Sequence, residues 1–523
     1  MDDLFKKLLN FYQINEEQYF YLTRDIDFSS FLLNNHFDHI EEVKKLIFKN
    51  IKENKKIMIY GDYDADGIMG VSILKKAFQY LHYSNIGYYI PSRYLDGYGL
   101  TIEKAKEIID KGYELVILVD NGITAFESVE LLTTNGIKVI ILDHHTPQEK
   151  IPCADYILHP LLSNFSSIAT SGAFIAFVLT YYLLNRFDYY LSILASISLI
   201  SDMMPLLDFN RDLLRIVIPS YREGIYLPLD LLKGENVIFN EFSIGLKISP
   251  KINAIGRIIK DTSINYLVEY FTSEDDKLIY KIYNWIDKTN ERRKEITNKF
   301  SNDFLETDFK DEPAIILNIN IDEGMLGLAA NKLCKKWKKP VVVFTEDSQN
   351  NSLLKGSCRA PLGFNVVDAF NKLSNLIITS GGHACAGGLT IESKNFNRFI
   401  IEFKNLSKDI RFEETFDDCV DIGITSLLLE NYYLVESFAP FGEFWPEPTF
   451  RIRRIKVSSL TYSKDNCHLL SSIGLNTRLV GFNISKESLS NFSYVDLIGN
   501  LKLSHFKGKT YLEFVVKNYK ESI

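Results

Sequence analysis

Three carboxylates alternate in Tyr60-Gly61-Asp62-Tyr63-Asp64-Ala65-Asp66-Gly67. Such a run converges on a cation only if the main chain bends sharply, and Gly67 is the residue that would permit the bend. An EF-hand loop also opens D-x-D-x-D-G, but it needs a glutamate at its twelfth position, where this chain has Ile73. It also needs a preceding helix, where this chain has the apolar run IMIY (57–60). A calcium loop is excluded, and a solvated acidic turn stays open for this segment taken alone. Two further segments argue against the bland reading. Asp120 follows LVILV (115–119), and Asp143-His144-His145 follows VIIL (139–142). Carboxylates at the C-terminal ends of three parallel strands fall where open α/β sheets place ligands. Asp202, after an apolar helical stretch, offers a fourth group. Mixed Asp and His donors without cysteine suit Mn²⁺ or Mg²⁺, with imidazole favouring Mn²⁺. Five or six such donors exceed the needs of one ion. Two ions about 3.5–4 Å apart, bridged by a carboxylate and a water, would clamp a phosphoryl centre and supply hydroxide at neutral pH. Phosphoester hydrolysis is the chemistry that this arrangement serves best.

The elements that must position these groups read as a parallel sheet of strand–loop–helix units from Lys55 onward. Residues 189–201 (YYLSILASISLIS) are predicted to form a buried helix ending at Asp202. Ser273 to Phe304 has the apolar spacing of one long helix, opened by Ser273 and Asp276 as a capping pair and closed before Pro313. A second α/β region starts at AIILN (314–318) and runs through PVVVF (340–344) to GGHACAGG (381–388). After about residue 411 the segments TFRIRRIKVSSLTY, TRLVGFNI, YVDLIGNLKL and KTYLEFVVKNY alternate apolar and polar positions, the texture of an antiparallel barrel or sandwich of OB type. The aromatics of residues 1–45 are expected to pack as short helices against the domain that follows.

Bulk properties bound the reading. A chain of 523 residues, 46% hydrophobic and 24% charged, is expected to be soluble and to form several domains. The opening MDDLFKKLLNFYQ lacks the apolar run of a signal peptide, and Phe174–Leu184 is too short to span a bilayer. A cytoplasmic protein with no membrane association is expected. The six scattered cysteines, without CxxC spacing, are read as reduced and incidental. A net charge of −8 weighs against nucleic acid without deciding the matter, because local basic patches hold phosphates.

GDYDADG, VDNG, DHH and Asp202 resemble, in order and spacing, the four motifs of the DHH phosphoesterase superfamily. PSRYLDGYGL (91–100), PKINAIGRI (250–258), GMLGLAANKL (324–333), GSCRA (356–360), GGHACAGGLT (381–390) and PFGEFWPEP (440–448) followed by CHLL (467–470) narrow the resemblance to its RecJ branch. It covers roughly residues 45–518. The resemblance implies an α/β fold in five parts: an N-terminal helical extension (1–45), a parallel-sheet DHH catalytic domain (46–270), a linker helix (271–310), a smaller α/β DHH-associated domain (311–410) that binds phosphate and DNA, and a C-terminal OB-like β-barrel (411–523). Three departures stand out: Phe444-Trp445 in place of Gly-Asn, Met69-Gly70 in place of small hydroxyl residues, and His159-Pro160 in place of Asn-Pro.

Carried over residue by residue, the resemblance implies two divalent ions, Mn²⁺ or Mg²⁺. Asp64 and Asp66 would each hold one, Asp120 would bridge them, and His144 and Asp202 would complete the second site. Asp62 would serve as ligand or nearby base, Asp143 would orient the His144 ring, and His145 would face the scissile phosphate. Arg257, Arg359 and His383 would grip backbone phosphates, with Arg93 and Asn253 in the same DNA-binding set, and Gly381, Gly382, Gly387 and Gly388 would let main-chain N–H groups approach a phosphate. The activity implied is hydrolysis of single-stranded DNA from an end, 5′ to 3′, in recombination and repair, by a monomer that works with a single-strand-binding protein and a helicase. Two rivals remain: another DHH enzyme acting on oligonucleotides, cyclic dinucleotides or pyrophosphate, and an inactive DNA-binding scaffold. The first leaves the C-terminal barrel without a purpose, and the second predicts decayed metal motifs.

Overall fold

Aliphatic runs without polar alternation mark strands that are buried on both faces. A computed structural model describes residues 2–29, 32, 36–163, 165, 169–305, 307–347, 350–408, 419–474, 476–506 and 508–522. In it β1 (Ile57–Tyr60), β2 (Ile86–Tyr89), β3 (Leu115–Val119), β4 (Lys138–Leu142) and β5 (Tyr156–Leu158) form a parallel sheet in the order β2-β1-β3-β4-β5. Register pairs Tyr60 with Leu118 and Val119 with Leu142. The residues that follow β1, β3 and β4 therefore emerge side by side at one sheet edge. The helices Ala65–Tyr80, Gly172–Leu184 and Tyr189–Ser201 pack on one another and are buried along most of their length, as their nearly continuous apolar sequence requires.

A second sheet joins β6 (Ile315–Asn318), β7 (Val341–Glu346), β8 (Leu353–Arg359), β9 (Ile377–His383) and β10 (Ala386–Glu392) in the order β6-β7-β8-β10-β9. It is mixed, with only β6 and β7 parallel. Phe344, Cys358, Phe370, Phe399 and Phe403 fill its core. The long helix runs Asp276–Leu305 and lies along the helix Ser249–Ile258. Its cap differs from expectation: the Asp275 carboxylate accepts the Lys277 N–H at 2.9 Å, and Ser273 caps Asp275 instead of the helix. Both sheets and this helix belong to one unit, Asn34–Met204 with Val217–Glu413.

The other unit is assembled from Met1–Leu33, Pro205–Ile216 and Glu414–Ile523. Its sheet has the order β11-β12-β15-β16-β14-β13, from β11 (Val420–Ile422), β12 (Phe450–Lys456), β13 (Leu469–Ser472), β14 (Thr477–Gly481), β15 (Tyr494–Phe506) and β16 (Lys509–Glu521). Two of its pairings, β11 with β12 and β14 with β16, are parallel, where alternation in sequence suggested antiparallel strands throughout. The expected domain boundary at 410/411 lies outside the described residues.

The N-terminal aromatics divide: Phe37 stacks on Phe165 at 4.1 Å, as expected, whereas those of the first two helices pack within the unit that also holds the C-terminal sheet. Tyr12 and Tyr19 rest on Phe438 with ring centroids 5.2 and 4.8 Å apart, because Phe438 and Trp445 offer an aromatic face within their own unit. Trp445 is buried there. Its ring stacks on Tyr12 at 4.1 Å, the Arg211 guanidinium lies 4.8 Å from it, and its Nε1–H donates to Phe438 O at 2.8 Å. The Phe444-Trp445 departure is thus structural at Trp445, while Phe444 stays exposed at φ +59°, a conformation that the more usual glycine adopts freely. Trp445→Phe keeps the stack and removes the indole donor. We expect a loss of about 1–2 kcal/mol in urea unfolding of this unit, and an unchanged midpoint would contradict the role given to Trp445.

Candidate metal centre

The D-x-D-x-D-G run straddles the end of β1 and the start of the helix Ala65–Tyr80. Asp64 is the helix cap, its Oδ1 accepting the Asp66 and Gly67 N–H groups at 2.9 and 3.3 Å. Gly67 lies inside the first helical turn, so its value is space and not an unusual φ: a Cβ there would stand 2.6 Å from the Asp62 Cα. Asp120 leaves β3 at φ +60°, a left-handed conformation that few non-glycine residues adopt, and such strain clusters at functional sites. His144 Nε2 lies 3.1 Å from Asp120 Oδ1, 3.4 Å from Asp202 Oδ2 and 3.5 Å from Asp66 Oδ2. Three groups of donors each fall within 4.8 Å: Asp62 with Asp64 and Asp120, Asp66 with His144 and Asp202, and Asp120 with His144 and His145. Asp120 and His144 each belong to two of them.

Asp143 plays a different part from the one the resemblance implied. Its Oδ1 accepts the His145 ring Nδ1–H at 2.8 Å and touches His144 only at the main-chain N, 2.7 Å away, while Oδ2 takes the Ile123 N–H. The ring it orients is therefore that of His145. The two side chains shift each other strongly. Burial pushes the Asp143 carboxyl up, but the His145 bond and charge bring it down to about 2; burial lowers His145, and Asp143 lifts it to about 9.

The donor set fits divalent cations. Burial, and then the neighbouring carboxylates, push Asp62, Asp120 and Asp202 well above the usual carboxylate range, the signature of crowded negative charge that a cation relieves. Burial lowers His144, which favours the neutral ligand form. Asp62 Oδ1 is buried without a hydrogen-bond partner, a free donor atom beside Asp64 and Asp120. Hard oxygen donors with one or two imidazoles and no thiolate suit Mn²⁺ or Mg²⁺.

Arginines gather next to this loop. The Arg93 guanidinium lies over the Tyr63 ring at 4.1 Å, and its Nε is buried without a partner. Arg257 donates to Gly324 O at 3.1 Å, and Arg359 is tied to Ser357 Oγ and Cys358 O. Burial, then repulsion from Arg93 and Arg359, brings Arg257 down to about 10, as expected where cations crowd around an anion site. Arg293 of the long helix belongs to the same group, adding to the charge felt by Arg257. Nothing in the sequence around it distinguishes it. Tyr98, by contrast, sits in the PSRYLDGYGL motif, and its hydroxyl lies 3.1 Å from His145 Nε2.

Other sequence candidates fall elsewhere. Asn253 is occupied internally, its Oδ1 accepting the Ala65 N–H at 2.9 Å and its Nδ2 donating to Ser201 Oγ at 3.1 Å. It clamps the carboxylate loop rather than offering its amide to a ligand. His383 ends β9, is exposed with Gly381 and Gly382, and among the described residues has no hydrogen bond or ion pair to the arginines. Gly387 and Gly388 lie in β10 between β8 and β9, where ladder pairing on both sides leaves their amides little freedom to meet a phosphate.

Comparison with known proteins adds independent weight. Residues 56–200 match the DHH family N-terminal domain, 311–409 the DHHA1 domain and 420–518 the RecJ OB domain. The single-stranded-DNA-specific exonuclease RecJ of Haemophilus influenzae is 28% identical over 94% of this chain and 93% of its own length. The Bacillus subtilis protein of that name is 27% identical, with 92% of this chain matching 63% of its length. Among solved structures, the RecJ of Thermus thermophilus in complex with Mn²⁺ superposes with a TM-score of 0.82 at 22% identity, covering 93% of this chain and 72% of that one, a likeness of fold.

Proposed function

Since the chain belongs to the DHH family and is of the RecJ type, we propose that it is a metal-dependent exonuclease hydrolysing phosphodiester bonds of single-stranded DNA. The observation that carries the reading is the set of three interlocked donor groups, joined through Asp120 and His144. When bound, divalent ions supply Lewis acidity and activate water near neutral pH. The chain's own residues do the rest. Asp62, Asp64, Asp66, Asp120, His144 and Asp202 would hold the ions, while Asp143 fixes the His145 ring with its Nε2 toward the Tyr98 hydroxyl. Arg93, Arg257, Arg293 and Arg359 would neutralise strand phosphates, for which the guanidinium fork is suited. The inactive-scaffold reading expects lost donors, and every donor is in place.

Polarity from the 5′ end, service in recombination and repair, action as a monomer in the cytoplasm, and cooperation with a single-strand-binding protein and a helicase complete the proposal by family likeness. Among the described residues no helix is long and apolar enough to cross a membrane. The deciding assay digests single- and double-stranded DNA labelled at either end, with metals varied. Activity should vanish on exhaustive chelation and return with Mn²⁺ at least as well as with Mg²⁺. Full activity after chelation would refute the metal reading, and release of label only from the 3′ end would refute the polarity.

A further inference from the structure

The helix Tyr189–Ser201 carries three fully buried serines ahead of its last residue, and two of them behave as serines in helices commonly do. Ser192 Oγ returns to Tyr189 O at 2.7 Å and Ser196 Oγ to Ser192 O at 2.9 Å, each satisfying its hydroxyl within its own helix. Ser198 does not. Its hydroxyl leaves the helix and donates to Asp66 Oδ1 at 2.6 Å. The Asp66 carboxylate also accepts the Ala173 N–H on Oδ1 and the Gly172 N–H on Oδ2, both at 2.7 Å. Three donors from two helices thus hold both oxygens of a carboxylate that is 1% exposed. Oδ2 also lies 3.5 Å from His144 Nε2, and the group closes into a donor cluster with His144 and Asp202.

Ser198 Oγ also stands 2.5 Å from Ser171 Oγ, which accepts the Phe174 N–H at 3.2 Å as the cap of the helix Gly172–Leu184. A serine has one proton to give. Ser198 gives its proton to the carboxylate, the stronger acceptor, so Ser171 must donate to Ser198. The order is Phe174 N–H to Ser171, Ser171 to Ser198, Ser198 to Asp66, a chain in which each bond polarises the next. Neither serine is an acid, base or ligand, so the effect of the chain runs through Asp66.

The geometry points to Ser198, backed by Ser171, as a positioning residue that fixes the Asp66 carboxylate for cation binding. The inference rests on Asp66 being a metal ligand. Groups that orient ligands from outside the coordination sphere typically account for about 10–100-fold in metal affinity. Ser198→Ala removes one of three donors and frees the carboxylate to rotate, while Ser196→Ala removes a hydroxyl of the same helix, equally buried, that never meets Asp66.

The test is Mn²⁺ binding by the full chain without DNA, followed by electron paramagnetic resonance of the free ion, with the thermal midpoint of the metal-free protein recorded alongside. Ser198→Ala should bind Mn²⁺ at least about tenfold more weakly than wild type, with Ser196→Ala within about twofold and Ser198→Thr, which keeps the hydroxyl, within about threefold. If Ser198→Ala does not fold, Ser198→Cys, similar in size with a weak donor, takes its place at the same threshold. Equal affinity in the Ser198→Ala and Ser196→Ala proteins overturns the inference. So does a folded threonine variant as weak as the alanine one, because the loss would then follow packing and not the hydroxyl. Wild-type protein that binds no Mn²⁺ would instead refute the metal-site reading itself.

Discussion

Asp120→Ala should slow cleavage at least about a thousand-fold while leaving single-strand affinity largely intact. Asp120 belongs to two of the three donor groups, and its Oδ1 lies closer to His144 Nε2 than the oxygens of Asp66 or Asp202 do, so its loss disconnects the Asp62–Asp64 side from the His144 side. A thousand-fold corresponds to about 4 kcal/mol of transition-state stabilisation, at ~1.4 kcal/mol per tenfold. Affinity is expected to survive because the arginines are untouched, and it can rise slightly because one negative charge near the strand is gone. Initial rate and strand affinity must be measured at one salt concentration, since phosphate contacts weaken with salt. A variant that still cleaves at near wild-type rate would place the centre of the active site elsewhere.

Gly67→Ala should be nearly as damaging, although it changes no ligand. The added methyl would lie inside contact distance of the Asp62 N, Cα and O atoms, and main chain cannot step aside as a flexible side chain can. Either the helix start or the Asp62 loop must move, and both carry carboxylates of the centre. A displacement of about 1 Å typically costs on the order of a hundredfold in rate, and overpacking about 1–3 kcal/mol in stability. The expected result is a fall of that size in kcat together with a lower Tm. Gly474→Ala, where a Cβ meets nothing within 4 Å, should change neither. Wild-type turnover by a folded Gly67→Ala protein would show that the loop is not held as tightly as its geometry requires.

Much of this was legible in the chain itself. β3 coincides with LVILV and β4 adds only Lys138 to VIIL, because strands buried on both faces leave an unbroken aliphatic signature. β2 and β5 were missed: they are the edge strands of the sheet, four and three residues long, too short to differ from loop. Carboxylates after strand ends could be found because strand order and sheet polarity dictate where such residues emerge. Which ring Asp143 would face could not be found, since both histidines lie within two residues of it and only the loop geometry chooses between them. Ser198 was hidden for a similar reason: its partner is 132 residues away, and a serine among apolar residues reads as helix filler. The docking of the N-terminal helices escaped notice because amphipathic spacing shows that a face is buried without showing against what.

The unit built from Met1–Leu33, Pro205–Ile216 and Glu414–Ile523 sets an order of events during synthesis. Tyr12 donates its phenol proton to Pro446 O, a partner 434 residues later in the chain, and stacks on Trp445. At about 5–20 residues per second, a ribosome needs roughly 20–90 s to travel from one to the other. Phe5, Tyr12 and Tyr19 leave the exit tunnel before Phe438 and Trp445 and spend that interval without the aromatic surface they are shaped to cover. The helices that carry them thus wait for their native contacts until the C-terminal segment is made, and the interval in which the nascent chain can aggregate through them is fixed by the length of everything translated in between.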